Sequence, residues 1–446
     1  MRFFDRIIGF ALTLVDRIAA EDLPIVTPLI KLFGYGLPFE DFKRKYDSVD
    51  STIPAKKAAH FWEIIKKDWL FGRNRCLYWS MKGNDGGDMA IWQGMAVATA
   101  ALRHDKDMLD RLLGGSEVLQ YLGGNSRLCR GADLQGGPMR LCDPNRKYYY
   151  YDGYVFIDDV SESTLIGHLW GLWWAWDQSP REDVNDRVRK MIVDLADQVI
   201  ADDYQLKNQD GSTARFGDLR PLKWPWQIEK RKPIGTAALA LLLLMAYNAS
   251  KRVEFRDRYL KIARENIKSI VHLETRFLTT DKPYDDILAV MVGAMLLYNE
   301  WENHDLREAY RGAMLTLWKK IRKQGNPFYI YVMRDTLGAE IIDDSYLAQA
   351  RQTLDEYNAF NNDFPTGVVK LPVKNSDTIP GVKWGKHTVS RQPVPVYRRP
   401  ASDFYPQRSP YVLDDEEKKD EQFNRLDFVV QEALGRHCKA LPEVEL

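Results

Sequence analysis

Three short stretches place acids just before an apolar run. GNDGGD carries Asp85 and Asp88, FIDDVSE carries Asp158, Asp159 and Glu162, and KPYDD carries Asp285 and Asp286. A fourth stretch, LKWPWQIEKRKP, brings Lys223, Trp224, Trp226 and Glu229 to a comparable position. Carboxylates on different loops that face one another can work as a general acid and a base or nucleophile. For glycosidic bonds that needs a separation of about 5–10 Å. Aromatic residues beside such acids offer flat faces for sugar rings; here these are Trp79, Tyr154, Trp224, Trp226 and Tyr284. Helix capping alone would also account for Asp85, Ser161 and Asp285, because helix starts attract acids and hydroxyls.

The apolar runs behind these acids are helical in length and apolar nearly all round. They are Met89–Leu102, Ser163–Trp176, Ile234–Tyr247 and Ile287–Tyr298. A helix of that kind must be covered on every side. Gly167 and Gly171 stand four apart, as do Gly94 and Ala98, so one face of each helix admits a close neighbour. A clearly amphipathic segment follows each of them. Val184, Val188, Met191, Ile192, Leu195 and Val199 keep the helical period in one, Phe255, Tyr259, Ile262, Ile267 and Ile270 in a second, and Leu306, Tyr310, Ala313, Leu317 and Ile321 in a third. Buried helix, loop, half-exposed helix, loop: this unit predicts an all-α chain of helical hairpins closing into an (α/α)6 toroid. In such a ring the inner helices run one way, and their N-termini, with the acids, meet at one mouth.

The expected organisation is a single toroid over residues 51–446, with a helical segment over 1–50 packed on it. An irregular excursion over about 361–421 is rich in proline and polar residues. Asp210-Gly211 marks a small β-hairpin over Tyr204–Leu219. His168 falls inside its apolar helix, where a satisfied core histidine and a ligand-contacting one are both open readings.

Composition narrows the classes. Lys plus Arg and Asp plus Glu both number 63, so net charge gives no pull toward nucleic acid. No run reaches the roughly 18–20 apolar residues of a membrane span. The four cysteines form no Cys-x-x-Cys pair and the seven histidines are scattered, so no metal and no cofactor is expected. Cys129 and Cys142 could be bridged or free. Phosphate-binding glycine loops and Gly-x-Ser-x-Gly are absent. The N-terminal MRFFDRIIGFALTLVDRIAA has a short apolar core flanked by Asp5 and Asp16. It reads as an amphipathic helix rather than a cleaved signal, which favours a cytoplasmic over a secreted location.

Four segments together resemble bacterial six-hairpin glycosidase-like proteins, a group largely of unknown function. These are GGDMAIWQGMAVAT, SESTLIGHLWGL, DGSTARFGDL, and the C-terminal set NPFYIYV, DFYPQRSPYVLD and the helix ending in GRH. The resemblance covers about Arg75 to His437 and implies the toroid and a saccharide-type cleft. It also implies Ser-Arg-Asp where this chain has Ser161, Glu162 and Ser163, so an acid stands at 162 and none at 163.

The expectation is therefore a carbohydrate-active protein with a saccharide partner, foremost a glycoside hydrolase using Asp88, Asp159, Glu162 and Asp285. Trp79, Tyr154, His168, Trp224, Trp226, Tyr284 and Asp286 would bind substrate. A polysaccharide lyase with Tyr154, Tyr284 or His168 as base, and a non-catalytic toroid for binding or assembly, are the alternatives.

Overall fold

A computed structural model describes residues 52–78, 81–82, 88–137, 147–221, 233–267, 270, 283–356, 381–384, 387–390, 393–394, 410–413, 422–423 and 425–441. The expected helix over 1–50, most of the excursion at 361–421, and Trp79, Trp224 and Trp226 lie outside these residues. Asp285 and Tyr284 fall in a described helix, but their side chains are outside the description.

The described residues are mostly helical. In chain order the helices are α1 (Thr52–Asp68), α2 (Met89–Leu102), α3 (Lys106–Tyr121), α4 (Glu162–Gln178), α5 (Glu182–Ala201) and α6 (Pro233–Ser250). Then follow α7 (Val253–Glu265), α8 (Pro283–Asn299), α9 (His304–Ile321), α10 (Pro327–Leu337), α11 (Asp344–Glu356) and α12 (Leu426–His437). The apolar runs and amphipathic segments read from the sequence coincide with α2, α4, α5, α6, α7, α8 and α9.

Each apolar helix packs against the next: α2 on α4, α4 on α6, α6 on α8, α8 on α10, α10 on α12, and α12 back on α2. The amphipathic helices cover this circuit from outside. α3 lies on α2, α5 on α4 and α6, α7 on α6, α9 on α8 and α10, α11 on α10 and α1, and α1 on α12. Burial follows the sequence pattern. Every residue of α2 is buried, whereas α5 buries one stripe that includes Val184, Val188, Met191, Ile192, Leu195 and Val199.

Three elements have weaker sequence signals. α3 begins where Asp105 accepts the Met108 N–H at 3.2 Å, an ordinary side-chain cap. The same carboxylate meets Lys66 and the Trp62 indole on α1. α10 starts with Asn326 capping Phe328 at 3.0 Å and Pro327 in the first turn. Its apolar residues are so uniformly distributed that NPFYIYV lacks helical periodicity.

The third is a sheet that the sequence reading did not anticipate. β4 (Gly131–Leu134), β5 (Tyr148–Tyr151) and β6 (Tyr154–Ile157) are antiparallel in the order β4-β6-β5. Gly131 and Tyr148 both pair with Ile157. The anticipated hairpin is present as β7 (Gln205–Lys207) and β8 (Thr213–Asp218), with Gly211 at φ 81° in the turn. Cys129 is a free, buried thiol, and no described helix is long and apolar enough to cross a membrane.

The tightest contact in the circuit is α2 on α4. A Cβ placed on Gly94 would stand 1.8 Å from the Gly167 carbonyl oxygen. One on Gly167 would stand 2.6 Å from Ile91 Cα, and one on Gly171 would stand 2.6 Å from the Gly94 oxygen. Backbone meets backbone, and only glycine permits it. Gly94→Ala should therefore lower stability by more than about 3 kcal/mol, since neither backbone can give way. Gly312→Ala, on the open face of α9 where a Cβ meets nothing within 4 Å, should raise it by about 0.5–1 kcal/mol. Urea unfolding of the two variants checks this; equal effects would refute the close-contact account.

Candidate functional site at the start of α2 and α4

β6 delivers the chain to the loop 158–161, and α4 begins directly after it. The Arg130 N–H donates to Ile157 O at 2.8 Å, and its carbonyl accepts the Ala90 N–H at 3.0 Å. This residue is thus tied both to the end of β6 and to the first turn of α2. Its guanidinium lies between two carboxylates. Nη2 donates to Asp88 Oδ1 at 2.9 Å. Nη1 donates to the Asp159 carbonyl at 3.3 Å and lies 3.9 Å from Asp159 Oδ2. Asp88 and Asp159 keep 48% and 45% of their side chains exposed, so both acids face solvent. Sharing one guanidinium, their carboxylates lie within roughly 9 Å of each other; acid pairs that cleave glycosidic bonds stand about 5–10 Å apart.

Asp159 is held by more than the arginine. Its φ is 62°, in the left-handed region, which costs a non-glycine residue about 1 kcal/mol and which aspartate tolerates better than most. Its N–H donates to Asn208 Oδ1 at 2.9 Å, and its Oδ1 accepts the Arg215 N–H at 2.8 Å. Both partners belong to the β7–β8 hairpin, so this small element clamps the acid. Every described contact to the Asp88 and Asp159 side chains comes from a donor.

Asp158 turns the other way. It is buried, and its Oδ2 accepts the Gln209 N–H at 3.0 Å. Burial pushes its carboxyl above the ordinary range, against the Gln209 N–H and the Tyr149 hydroxyl, which lower it. Glu162 is also buried, at the first position of α4. Ser161 occupies the N-cap, but its hydroxyl meets those of Ser163 at 2.7 Å and Thr164 at 3.1 Å instead of a backbone N–H. The serine at 163, where the family resemblance implies an acid, is thus part of a hydroxyl cluster.

The other expected residues divide. Tyr154 is buried in β6 beneath Arg73, whose Cζ stands 5.3 Å from its ring centre. His168 is fully buried. Its Nε2 lies 3.0 Å from Gln120 Oε1, and Gln120 Nε2 donates to Met191 O at 2.8 Å. The amide orientation makes Nε2 the protonated nitrogen. Burial lowers this imidazole to about 4, so it is neutral. Asp286 is buried and bonded to Lys320 at 2.7 Å and Gln324 at 3.3 Å, joining α8 to the end of α9. Asp88 and Asp159 are therefore the expected acids that the structure brings together. Arg130 and Asn208 were not legible as site residues: LCRGADL and KNQDG carry no motif, and only strand pairing brings them to Asp159. Among the described residues no three His, Cys, Asp or Glu side chains gather closely enough to hold a metal ion.

No model of a known protein family matches this chain, and no curated protein matches it in sequence. Among solved structures it is similar to the crystal structure of sugar epimerase from ruminal bacterium. That likeness has a TM-score of 0.44 and 10% identity, over 85% of this chain and 99% of the other; it is too distant to carry function.

A second ionisable cluster lies at the ends of α8, α10 and α12. Asp335 of α10 accepts from the Tyr298 hydroxyl of α8 and lies 3.5 Å from His437 Nε2 of α12. Trp173 of α4 stacks on Tyr298 at 4.9 Å, and Trp174 meets His437 edge-on at 4.9 Å. Asp335 raises the His437 imidazole above its ordinary value; burial opposes this and Asp177 adds to it. A group whose folded value is raised stabilises fully below its unfolded value of about 6.5 and loses that stabilisation as pH climbs through the folded value. The loss of melting temperature in His437→Gln should thus be larger at pH 5.5 than at pH 9, on the order of a degree or two. Thermal melts of both proteins at the two pH values check it; a pH-independent difference would refute the pairing.

Proposed function

We propose that this chain is a carbohydrate-active protein on an (α/α)6 toroid, a glycoside hydrolase whose carboxylate pair is Asp88 and Asp159. Supporting the toroid is the closed order of packing from α2 through α12 and back, with amphipathic helices outside it. The observation that carries the functional reading is the pair of half-exposed acids, from loops before two different inner helices, bridged by Arg130. Two carboxylates on opposite sides of one scissile bond are what the chemistry needs. Glu162, buried at the helix start, is in this reading a supporting residue rather than a reagent. Tyr154 and His168, two of the three bases expected for the lyase alternative, are buried, which disfavours that alternative.

A second reading is favoured by the donor-only contacts of Asp88 and Asp159 and by the hydroxyl cluster at Ser163. An arrangement of fixed acceptors and guanidinium donors suits binding of sugar hydroxyls without cleavage. Reducing-end release from a panel of oligo- and polysaccharides separates the two. For hydrolysis, Asp88→Asn or Asp159→Asn should cut the rate by at least about a hundredfold. Asparagine at 159 retains both the left-handed backbone and an acceptor oxygen. Absence of release from every substrate, with binding seen by calorimetry and weakened in either variant, establishes the non-catalytic reading instead.

A further inference from the structure

We infer that the saccharide bound at this site carries carboxylate groups, and that Arg215 on the β7–β8 hairpin recognises them. The inference rests on the saccharide reading above and deepens it. The Arg215 backbone N–H is bonded to Asp159 Oδ1 at 2.8 Å, which fixes this residue at the acid pair. Its side chain is exposed. The guanidinium carbon lies 5.0 Å from the centre of the Phe216 ring, itself 38% exposed. An arginine resting on an aromatic face is preorganised, and its planar fork matches a carboxylate through two parallel N–H bonds.

The surrounding charges show why this guanidinium stands apart. Around the loop 158–161 and the hairpin, Arg73 pairs with Asp152, Arg127 with Asp202, Arg130 with Asp88, Arg220 with Asp218, and Lys147 with Asp210. Among the described residues the Arg215 guanidinium has no carboxylate partner, although the Asp159 carboxylate is bonded to its own backbone. Lys207 on the paired strand is likewise without an acid; its ammonium donates to the Thr213 hydroxyl at 2.8 Å. A neutral glycan would leave both cations unused. A uronate residue next to the one bound between Asp88 and Asp159 would bring its carboxylate to Arg215. Asp88 and Asp159, already balanced in part by Arg130, then act on the hydroxylated part of the chain.

The test compares acid and ester forms of the same ligands. Oligogalacturonate, oligoglucuronate and oligomannuronate are each titrated into the full chain by calorimetry, beside their methyl esters, which keep shape and lose charge. The expected result is a preference for acid over ester of about tenfold or more in at least one pair, as a charge-assisted bidentate contact gives. That preference should weaken with added salt and collapse toward one in Arg215→Gln. Arg215→Lys should retain part of it, since charge remains while the fork is lost. Equal affinity for acid and ester overturns the inference alone, as does a preference that survives Arg215→Gln. Binding of neutral glycans only also overturns it and leaves the saccharide reading standing. Failure of every acid, ester and neutral glycan to bind overturns both.

Discussion

The contact between α2 and α4 is the constraint on which the rest of this structure depends. Gly94, Gly167 and Gly171 let two helices lie backbone to backbone, closer than any side chain would allow. Gly167 meets Ile91 and, one turn further on, Gly171 meets Gly94, so the two run parallel and begin at about the same level. Their starts are then neighbours in space although more than seventy residues separate them in the chain. A hydrophobic interface of ordinary width, with axes about 8–10 Å apart, would spread the loops before the two helices. Asp88 and Asp159 would then lose the guanidinium they share.

From that contact the site assembles through short-range bonds. The first turn of α2 holds the Arg130 carbonyl, β6 holds the Arg130 N–H, and the β7–β8 hairpin holds both ends of Asp159. Each link is an ordinary hydrogen bond worth about 1 kcal/mol. Together they offset the left-handed backbone at Asp159 and orient its carboxylate. The hairpin matters here out of proportion to its size. It supplies a side-chain acceptor from Asn208 and main-chain donors from Gln209 and Arg215, and so distinguishes two adjacent aspartates that the sequence presents as equals.

Much of the helical framework was legible in the sequence because its helices bury long apolar runs or clear stripes, and burial obeys a period. The glycine spacing foretold a close approach, and Asp210-Gly211 foretold the hairpin. What could not be read was which acid faces solvent. Glu162 stands in the motif where the resemblance implies another residue, and Asp158 precedes Asp159 directly, yet both are buried while Asp159 is half exposed. The determinant is a single φ of 62° at Asp159, set by bonds to a hairpin some fifty residues away. The three-stranded sheet was missed for a related reason. YYYY and YVFI are short, flank the Asp152-Gly153 turn, and alternate too little to signal which face is inward. Arg130 inherits that obscurity, since its role exists only through pairing with β6.

The parallel course of α2 and α4 also gives this pair two chemically different ends, and Trp173 and Trp174 near the end of α4 meet Tyr298 and His437. Helix starts present unpaired N–H groups and partial positive charge; helix ends present carbonyls and partial negative charge. At the starts of α2 and α4, carboxylates are favoured, and Asp88 and Asp159 sit there with arginines as partners. At the ends of α8, α10 and α12 an acid is disfavoured, and Asp335 persists there bonded to the Tyr298 hydroxyl and close to His437. The histidine there gains from Asp335, with Asp177 adding to it, which is why its proton is held more tightly than usual. The first end therefore offers a solvent-facing ligand both acceptors, in two carboxylates, and donors, in guanidinium groups. That end presents both kinds of group to solvent, whereas at the other end the acid and the histidine already face one another.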